Sequence, residues 1–442
     1  MKRRVLLMTA VTLLVAGPAA SAADPPYTAA ERSAIAAAVG LTPEIVARLD
    51  DAALTGRLLA YARIEAGQRV RPSSIDFRWT VEPRRRDLAS ELRSARAGAG
   101  LGAWLGALTP TSTQYQALRA GRARYAALAG AGGWESLPEG PTLRPGERAD
   151  AVPAVRGRLA MEGYGAADAG EATLFDPTLE AAVRAFQESH VLEVDGLVGP
   201  ATRRALNVPA AERLAQIDAN LERWRWLPAA LPADRFEVDT GSQDAVLYHG
   251  GAPVLRLRAI VGAPKHPTPM FASRIEAVVF NPPWNVPPSI ARNELLPAEA
   301  RRPGLLASMG IRWVDGRLQQ RPGPNNSLGQ VKFDIKNRFG VYLHDTPGKG
   351  LFTQPVRAFS HGCMRLETPR DLAAALLAPQ GGSPGTVEAA IAAGATKRVN
   401  LRQSVPVYVL HFTVRAEAGR LTFRPDIYGW DRKLSRALAQ GD

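Results

Sequence analysis

Near Arg235 the hydrophobic period of the chain changes, and that change constrains its fold more than any other feature. Upstream, segments such as LTGRLLAYARIEAG and AERLAQIDANLERWRWLP place apolar residues every three or four positions, the spacing of one helix face. Downstream, RFEVDTGSQDAVLYHGGAPVLRLRAIVG alternates apolar and polar residues. Turn signals at Thr240-Gly241-Ser242 and His249-Gly250-Gly251 separate its runs. Such runs predict antiparallel strands joined by hairpins. The C-terminal VPVYVLHFTVRAEAGRLTFRPDIYG repeats the pattern, with a hairpin turn at Glu417 to Gly419. The expected class is therefore α+β and multidomain, with helices first and a β-rich domain after them.

The first residues carry a second signal. Lys2, Arg3 and Arg4 precede an apolar run from Val5 to Ala16 and the small residues Ala20-Ser21-Ala22. A basic start, a short apolar stretch and a small-x-small exit predict a secretory leader over residues 1–22. The run is shorter than the roughly 20 residues of a spanning helix, so an uncleaved anchor is the lesser alternative, and no stable membrane span is expected after processing. The formal charge of +13, about +10 without those three cations, suits attraction to a polyanionic wall or membrane surface. Nucleic acid is not expected, because the arginines are dispersed and no recognition motif accompanies them.

Residues 23–140 are expected to form a helical scaffold, in which Thr42 or Asp50 caps helices and Trp79, Trp104 and Trp134 pack a core or a domain contact. The Pro/Gly punctuation around Pro141 to Pro145 marks a boundary. Residues 141–208 read as a small three-helix module. Its second helix has Asp176 as N-cap, Pro177 at the first helical position and a stripe of Leu179, Val183 and Phe186. A helical linker spans 209–234, and a β-rich domain spans 235–430. A Pro-rich excursion at about 289–329 is expected to cap it. Residues 431–442 are left as a C-terminal tail.

The chemistry centres on the one cysteine. A lone thiol in an exported chain cannot form an internal staple and is exposed to oxidation, so its retention suggests a use; a buried bystander is the alternative. In VYLHDTPGKGLFTQPVRAFSHGCMRLETPRDLA, His344 and His361 lie within twenty residues of Cys363. A thiol attacks as thiolate, which an imidazole or a positive field promotes by lowering its pKa. Gly362 beside the sulfur lets backbone N–H groups approach a developing oxyanion. SHGC reads as a loop entering a helix at Pro369 to Leu377, capped by Thr368. Zinc held by His344, His361, Cys363 and Asp345 is the competing reading, but the ligand spacing is unusual and no second cysteine exists.

A His, fifteen intervening residues, then S-H-G-C, an apolar residue and Arg resembles the signature of the L,D-transpeptidase (YkuD-type) catalytic domain. VGAPKHPTPMF, FNPPWNVPPSIA and RPGPNNSLGQVKF resemble its large YcbB-like subfamily. The module at 141–208 is similar to the peptidoglycan-binding domain type 1 family through Gly146, Val155, Leu159, Gly163, Phe186-Gln187, Asp195-Gly196, Thr202 and Leu206-Asn207. The departure is MRL after the cysteine, where IRV is common.

The resemblance implies that Cys363 is the nucleophile and His344 the general base, with His361 and Gly362 shaping the oxyanion site. Ser360 and Arg365 would organise the loop or bind the peptide, Asp345 would orient the imidazole, and Trp284 would line the substrate path. It implies a periplasmic enzyme that uses no cofactor, takes peptidoglycan stem tetrapeptides as substrate and is acylated by carbapenem-type inhibitors. Hydrolytic trimming of the same stems (an L,D-carboxypeptidase) and a silent wall-binding scaffold remain as rival readings.

Overall fold

The computed structural model describes residues 25–98, 100–165, 171–417 and 419–440; the expected leader lies outside them. The chain divides into two compact units. One comprises residues up to 69 together with 83–111, and the other comprises 70–82 with 112–442.

The first unit is helical, with its core on Ile35, Leu54, Leu58, Leu92 and Trp104. Its caps follow from the local sequence. Thr42 and Asp50 each accept the backbone N–H three residues on, as expected, and Thr28 with Glu31 forms a capping box. Of the block 23–140 read as scaffold, residues 70–82 and 112–140 belong to the second unit. There Trp79 is fully buried, with its ring 5.8 Å from Trp226 and 5.5 Å from Trp430.

Among the described residues, the second unit contains fourteen strands. They are β1 (Arg235–Asp239), β2 (Asp244–His249), β3 (Ala252–Gly262), β4 (Phe271–Phe280), β5 (Trp284–Asn285), β6 (Ile311–Val314), β7 (Arg317–Gln320), β8 (Val331–Ile335), β9 (Leu343–His344), β10 (Ala358–Ser360), β11 (Met364–Leu366), β12 (Lys397–Leu410), β13 (Val414–Glu417) and β14 (Arg420–Phe423). Nine of them form one sheet in the order β10-β3-β11-β9-β8-β4-β12-β1-β2, and β2 also pairs with β3, so the ladder closes on itself. The expected β1–β2–β3 hairpins and the β13–β14 hairpin form. Three pairings are parallel: β1 with β12, β9 with β11, and β10 with β3. Hairpin signals cannot announce these, because the partners lie far apart in sequence or are joined by irregular chain. Phe236, Val261, Ile275, Phe333, Leu343, Met364 and Val407 fill the core.

Two smaller elements dock on this body. The module folds as three helices, Val152–Met161, Pro177–Ser189 and Pro200–Leu206, around Val155, Leu159, Val183 and Phe186. Asp176 caps the second helix through Leu179 N, and the Gln187 side chain ties Asp195, Leu197 and Thr202 together. The cap is the three-stranded sheet β5-β7-β6 with short helices between Pro288 and Ser308, one turn of which (Ala291–Leu295) is π-helical. It has its own apolar cluster on Trp284, Val286, Leu306, Ile311 and Leu318. The described residues of the expected C-terminal tail are helical. Trp430–Gln440 is a helix, anchored because Trp430 and Leu434 share a buried face.

Candidate active site

Two short parallel strands build the site. β9 and β11 pair with Leu343 opposite Met364 and His344 opposite Arg365, and Met364 N donates to Tyr342 O at 3.0 Å. Side chains alternate across a strand. Leu343 and Met364 are therefore fully buried in the core, while Tyr342, His344, Cys363 and Arg365 share the opposite face. The apolar middle residues of YLH and CMR thus serve as anchors that aim their neighbours.

His344 is buried, and its Nδ1 lies 2.5 Å from the Asp345 carbonyl oxygen. A carbonyl only accepts, so the neutral ring carries its hydrogen on Nδ1 and presents Nε2 as the acceptor. Burial, followed by the nearby Arg365 guanidinium, pushes the imidazole pKa down to about 3. Burial likewise pushes the Cys363 thiol up, against the opposing influence of neighbouring Tyr342 and the charges of Arg365 and Lys332. Desolvation outweighs the positive field, and the resting pair is a neutral thiol beside a neutral imidazole. The Asp345 carboxylate is occupied elsewhere, by Lys349 Nζ at 2.8 Å and Gln330 N at 2.9 Å, so only its carbonyl orients the ring.

The turn before the cysteine is braced from within. Ser360 is buried; its Oγ donates to Cys363 O at 2.5 Å and accepts from Gly362 N at 3.0 Å. Gly362 has φ of +107°, a conformation that favours glycine. Its amide hydrogen is used by Ser360 Oγ. Thr268, which the sequence did not single out, donates through Oγ1 to Gly362 O at 2.9 Å and accepts from Gly262 N at 2.8 Å. Gly262 leaves room for that approach, since a Cβ there would fall 2.0 Å from His266 O.

The remaining candidates are spread around this centre. His361 Nε2 lies 2.7 Å from Glu294 Oε1 in the π-helical turn of the cap, and its ring is 4.8 Å from that of His266. Arg365 is half-buried, and its Nε is buried without a hydrogen-bond partner. Trp284 is buried in the cap cluster, against which Tyr342 also packs. Lys332, opposite His344 across the β8–β9 pairing, places its ammonium 4.8 Å from the Tyr342 ring centroid. Tyr342 was recoverable from alternation around His344; Lys332 and Thr268 depend on distant register. SHGC proves to be the β10–β11 turn and does not enter a helix directly. Thr368 sits at the N-cap of Pro369–Leu377 but makes no side-chain cap bond.

The zinc reading finds little geometry. Among the described residues, the cluster with metal-ligand spacing is His411, Asp426 and Asp431, away from the cysteine. There His411 binds Thr240 Oγ1 and Asp426, Asp426 accepts the N–H groups of Trp430 and Asp431, and Asp431 takes Arg223 and Thr413. Its donors and acceptors satisfy one another.

Three family models match the chain: an L,D-transpeptidase catalytic domain over residues 233–400, a peptidoglycan binding domain over 148–206 and a scaffold domain over 22–121. A Haemophilus influenzae protein that carries the name of an L,D-transpeptidase is 33% identical over 216 residues. The match covers 44% of this chain and 44% of that protein, so less than half of the relative's length is spanned. Among solved structures, an L,D-transpeptidase from Mycobacterium smegmatis is similar at 17% identity, covering 40% of this chain and 58% of that one, with a TM-score of 0.21. L,D-transpeptidase 3 from Mycobacterium tuberculosis, in complex with a faropenem-derived adduct, is similar at 18% identity over 40% and 60%, with a TM-score of 0.22.

Proposed function

We propose, on the premise that this chain joins an L,D-transpeptidase catalytic domain to a peptidoglycan-binding domain, that it is an exported enzyme that cross-links peptidoglycan stems through Cys363. The observation that carries the reading is the β9–β11 register, which sets the lone thiol and an Nε2-accepting imidazole on one face of the sheet. A wall-binding module in the same chain supports the substrate class, and the resemblance of the chain to the YcbB-like subfamily supports a periplasmic location.

The neutral pair defines the first step. As Cys363 attacks the carbonyl of the third residue of a stem tetrapeptide, its proton passes to His344 Nε2, so charge separation arises with bond formation. The imidazolium then returns that proton to the departing amine, and D-Ala leaves. The side-chain amine of a second stem attacks the thioester; His344 takes a proton from it, and the thiol is restored. The depressed basicity of His344 makes it a ready donor in the second half of each transfer. Arg365, with its buried Nε lacking a partner, suits a carboxylate of the stem. Ser360, Gly362 and Thr268 hold the turn in register, while His361 ties it to the cap. Carbapenems would acylate the same sulfur.

The test incubates mature protein with a disaccharide-tetrapeptide and analyses the products by mass spectrometry beside a Cys363→Ala control. The expected product is a cross-linked dimer lighter by one D-Ala and absent from the control. Cysteine-dependent tripeptide alone would replace this reading with the L,D-carboxypeptidase. Neither product from a folded protein that still binds sacculi would favour the silent scaffold.

A further inference from the structure

His190 closes the second helix of the peptidoglycan-binding module, at the seam where that module docks on the rest of its unit. Its side chain is buried between two phenylalanines. Phe186 of its own helix stacks on the ring at 3.8 Å, and Phe423 of β14 stacks at 5.4 Å. Nδ1 lies 2.9 Å from the Phe186 carbonyl oxygen and 3.2 Å from Ser189 Oγ. A carbonyl only accepts, so the hydrogen of the neutral ring sits on Nδ1 and Nε2 is left as an acceptor. Among the described residues, that buried Nε2 has no hydrogen-bond partner.

The surroundings resist a proton there. On the body side, the Arg213 guanidinium lies 4.7 Å from the Phe423 ring centroid and donates to Ala205 O of the module at 3.2 Å. From the module, Arg158 reaches across the seam to lie 3.4 Å from the Trp134 ring centroid. The acid of this cluster is Glu162. Its two oxygens are taken by Arg158 Nη1 at 2.6 Å and by the Tyr125 hydroxyl at 2.5 Å. Tyr164 packs edge-on to Phe186, and Arg420 lies over the Tyr164 ring. Burial, then the charges of Arg213 and Arg158, hold the imidazole well below its ordinary pKa.

We propose that His190 is an acid-operated latch: Nε2 cannot readily take a proton while Phe423 covers the ring, so acid opens the seam and releases the module from the catalytic body. In the opened state Nε2 reaches water, and the ring titrates near its ordinary value of about 6.5. Above that pH both states hold a neutral ring, and pH does not bias the seam. Below it the opened state binds a proton that the docked state refuses, so the opened population grows. The growth ends once the docked ring itself becomes protonated. The inference stands apart from the cross-linking reading, because it needs no reaction at Cys363.

The test reads how often the seam opens, through a thiol placed in it. Ser189→Cys in a Cys363→Ala background puts a buried sulfur beside the ring. Its labelling by 4,4′-dithiodipyridine is followed from pH 7.5 to pH 4.5 and divided at each pH by the rate in the urea-unfolded chain. That ratio should rise by up to about ten-fold per pH unit below about 6.5. A second thiol, Val278→Cys in the sheet core, reports global unfolding and should rise less steeply. Adding His190→Phe, which keeps the stack and cannot titrate, should flatten the seam profile. Arg213→Met removes a facing cation, so the rise should end at a higher pH. Phe423→Leu uncovers the ring from the body side and should speed seam labelling already at pH 7.5. A flat profile for the seam thiol overturns the latch, and so does a profile that runs parallel to that of Val278→Cys; neither needs a further variant to fold. An undiminished rise with His190→Phe assigns the proton to another group and also overturns it. Unchanged labelling with Phe423→Leu would show that the thiol reads fraying of its own helix and not undocking.

Discussion

Two buried histidines of the second unit, His344 and His411, look alike in burial and differ in what their nitrogens have left to do. His411 is bound on both sides, by Thr240 Oγ1 at 2.8 Å and by Asp426 Oδ1 at 3.2 Å, and its rim also packs on Tyr428 and Trp430. His344 is held at Nδ1 by a backbone carbonyl, which leaves Nε2 to accept on the face that carries Cys363. The ligand-like spacing of His411, Asp426 and Asp431 is thus a strut, whereas the more sparsely bonded residue is the proposed base. The lesson is that hydrogen-bonding capacity left over marks chemistry, and capacity fully used marks architecture.

The largest break of this contrast is a pair of substitutions. His344→Gln should lower dimer formation about 1,000-fold, the loss typical of a general base, with little change in urea stability at pH 7. His411→Gln should do the reverse, costing about 2 kcal/mol in urea unfolding because buried partners lose their bonds, while turnover stays within about ten-fold of wild type. Loss of turnover in a stable His411→Gln protein would collapse the distinction.

Acid should separate the two regions again. The folded His344 imidazole titrates near pH 3, while an unfolded histidine titrates near 6.5. The unfolded chain therefore binds the extra proton between those values. The contribution is intact above about pH 6.5 and is lost progressively as pH falls toward 3. At pH 5 the loss is about 2 kcal/mol. Urea midpoints at pH 7 and pH 5 should differ more for wild type than for His344→Gln. Buried His190, also held well below its ordinary pKa by burial, contributes equally to both proteins and cancels in the comparison. Equal pH slopes in the two proteins would show that His344 is not buried neutral.

Smaller effects sharpen the same rule. Ser360→Ala strips the partner from Gly362 N and Cys363 O; a cost of about 1–2 kcal/mol and slower carbapenem acylation are expected, read by thermal melting and intact-protein mass. Helix caps give the finest contrast. Asp176→Ala loses an occupied cap bond and should cost about 1 kcal/mol, whereas Thr368→Ala loses none and should stay within about 0.5 kcal/mol, both by urea titration.

Much of this was legible beforehand because it is local. Alternation announced the β1–β2–β3 hairpins, and Asp176-Pro177 announced its helix. The spacing from His344 to Cys363 singled out the two residues proposed as base and nucleophile. What stayed hidden depended on partners distant in the chain. Lys332 and Thr268 each lie more than thirty residues from Cys363, and only the folded chain brings them to its surroundings. Asp345 was expected to orient the imidazole through its carbonyl or its side chain; the carbonyl lies against His344 Nδ1, while the carboxylate is taken by Lys349 and Gln330.

By itself the sequence determined which side chains could do chemistry, since reactivity is a property of residue type and of immediate neighbours. The tertiary structure decided their protonation states and their divisions of labour. Burial at the β9–β11 pair raises the thiol and lowers the imidazole, a sign that adjacency in sequence does not contain. Desolvation depends on everything packed around a group, and packing is settled only when the closed sheet and its cap come together.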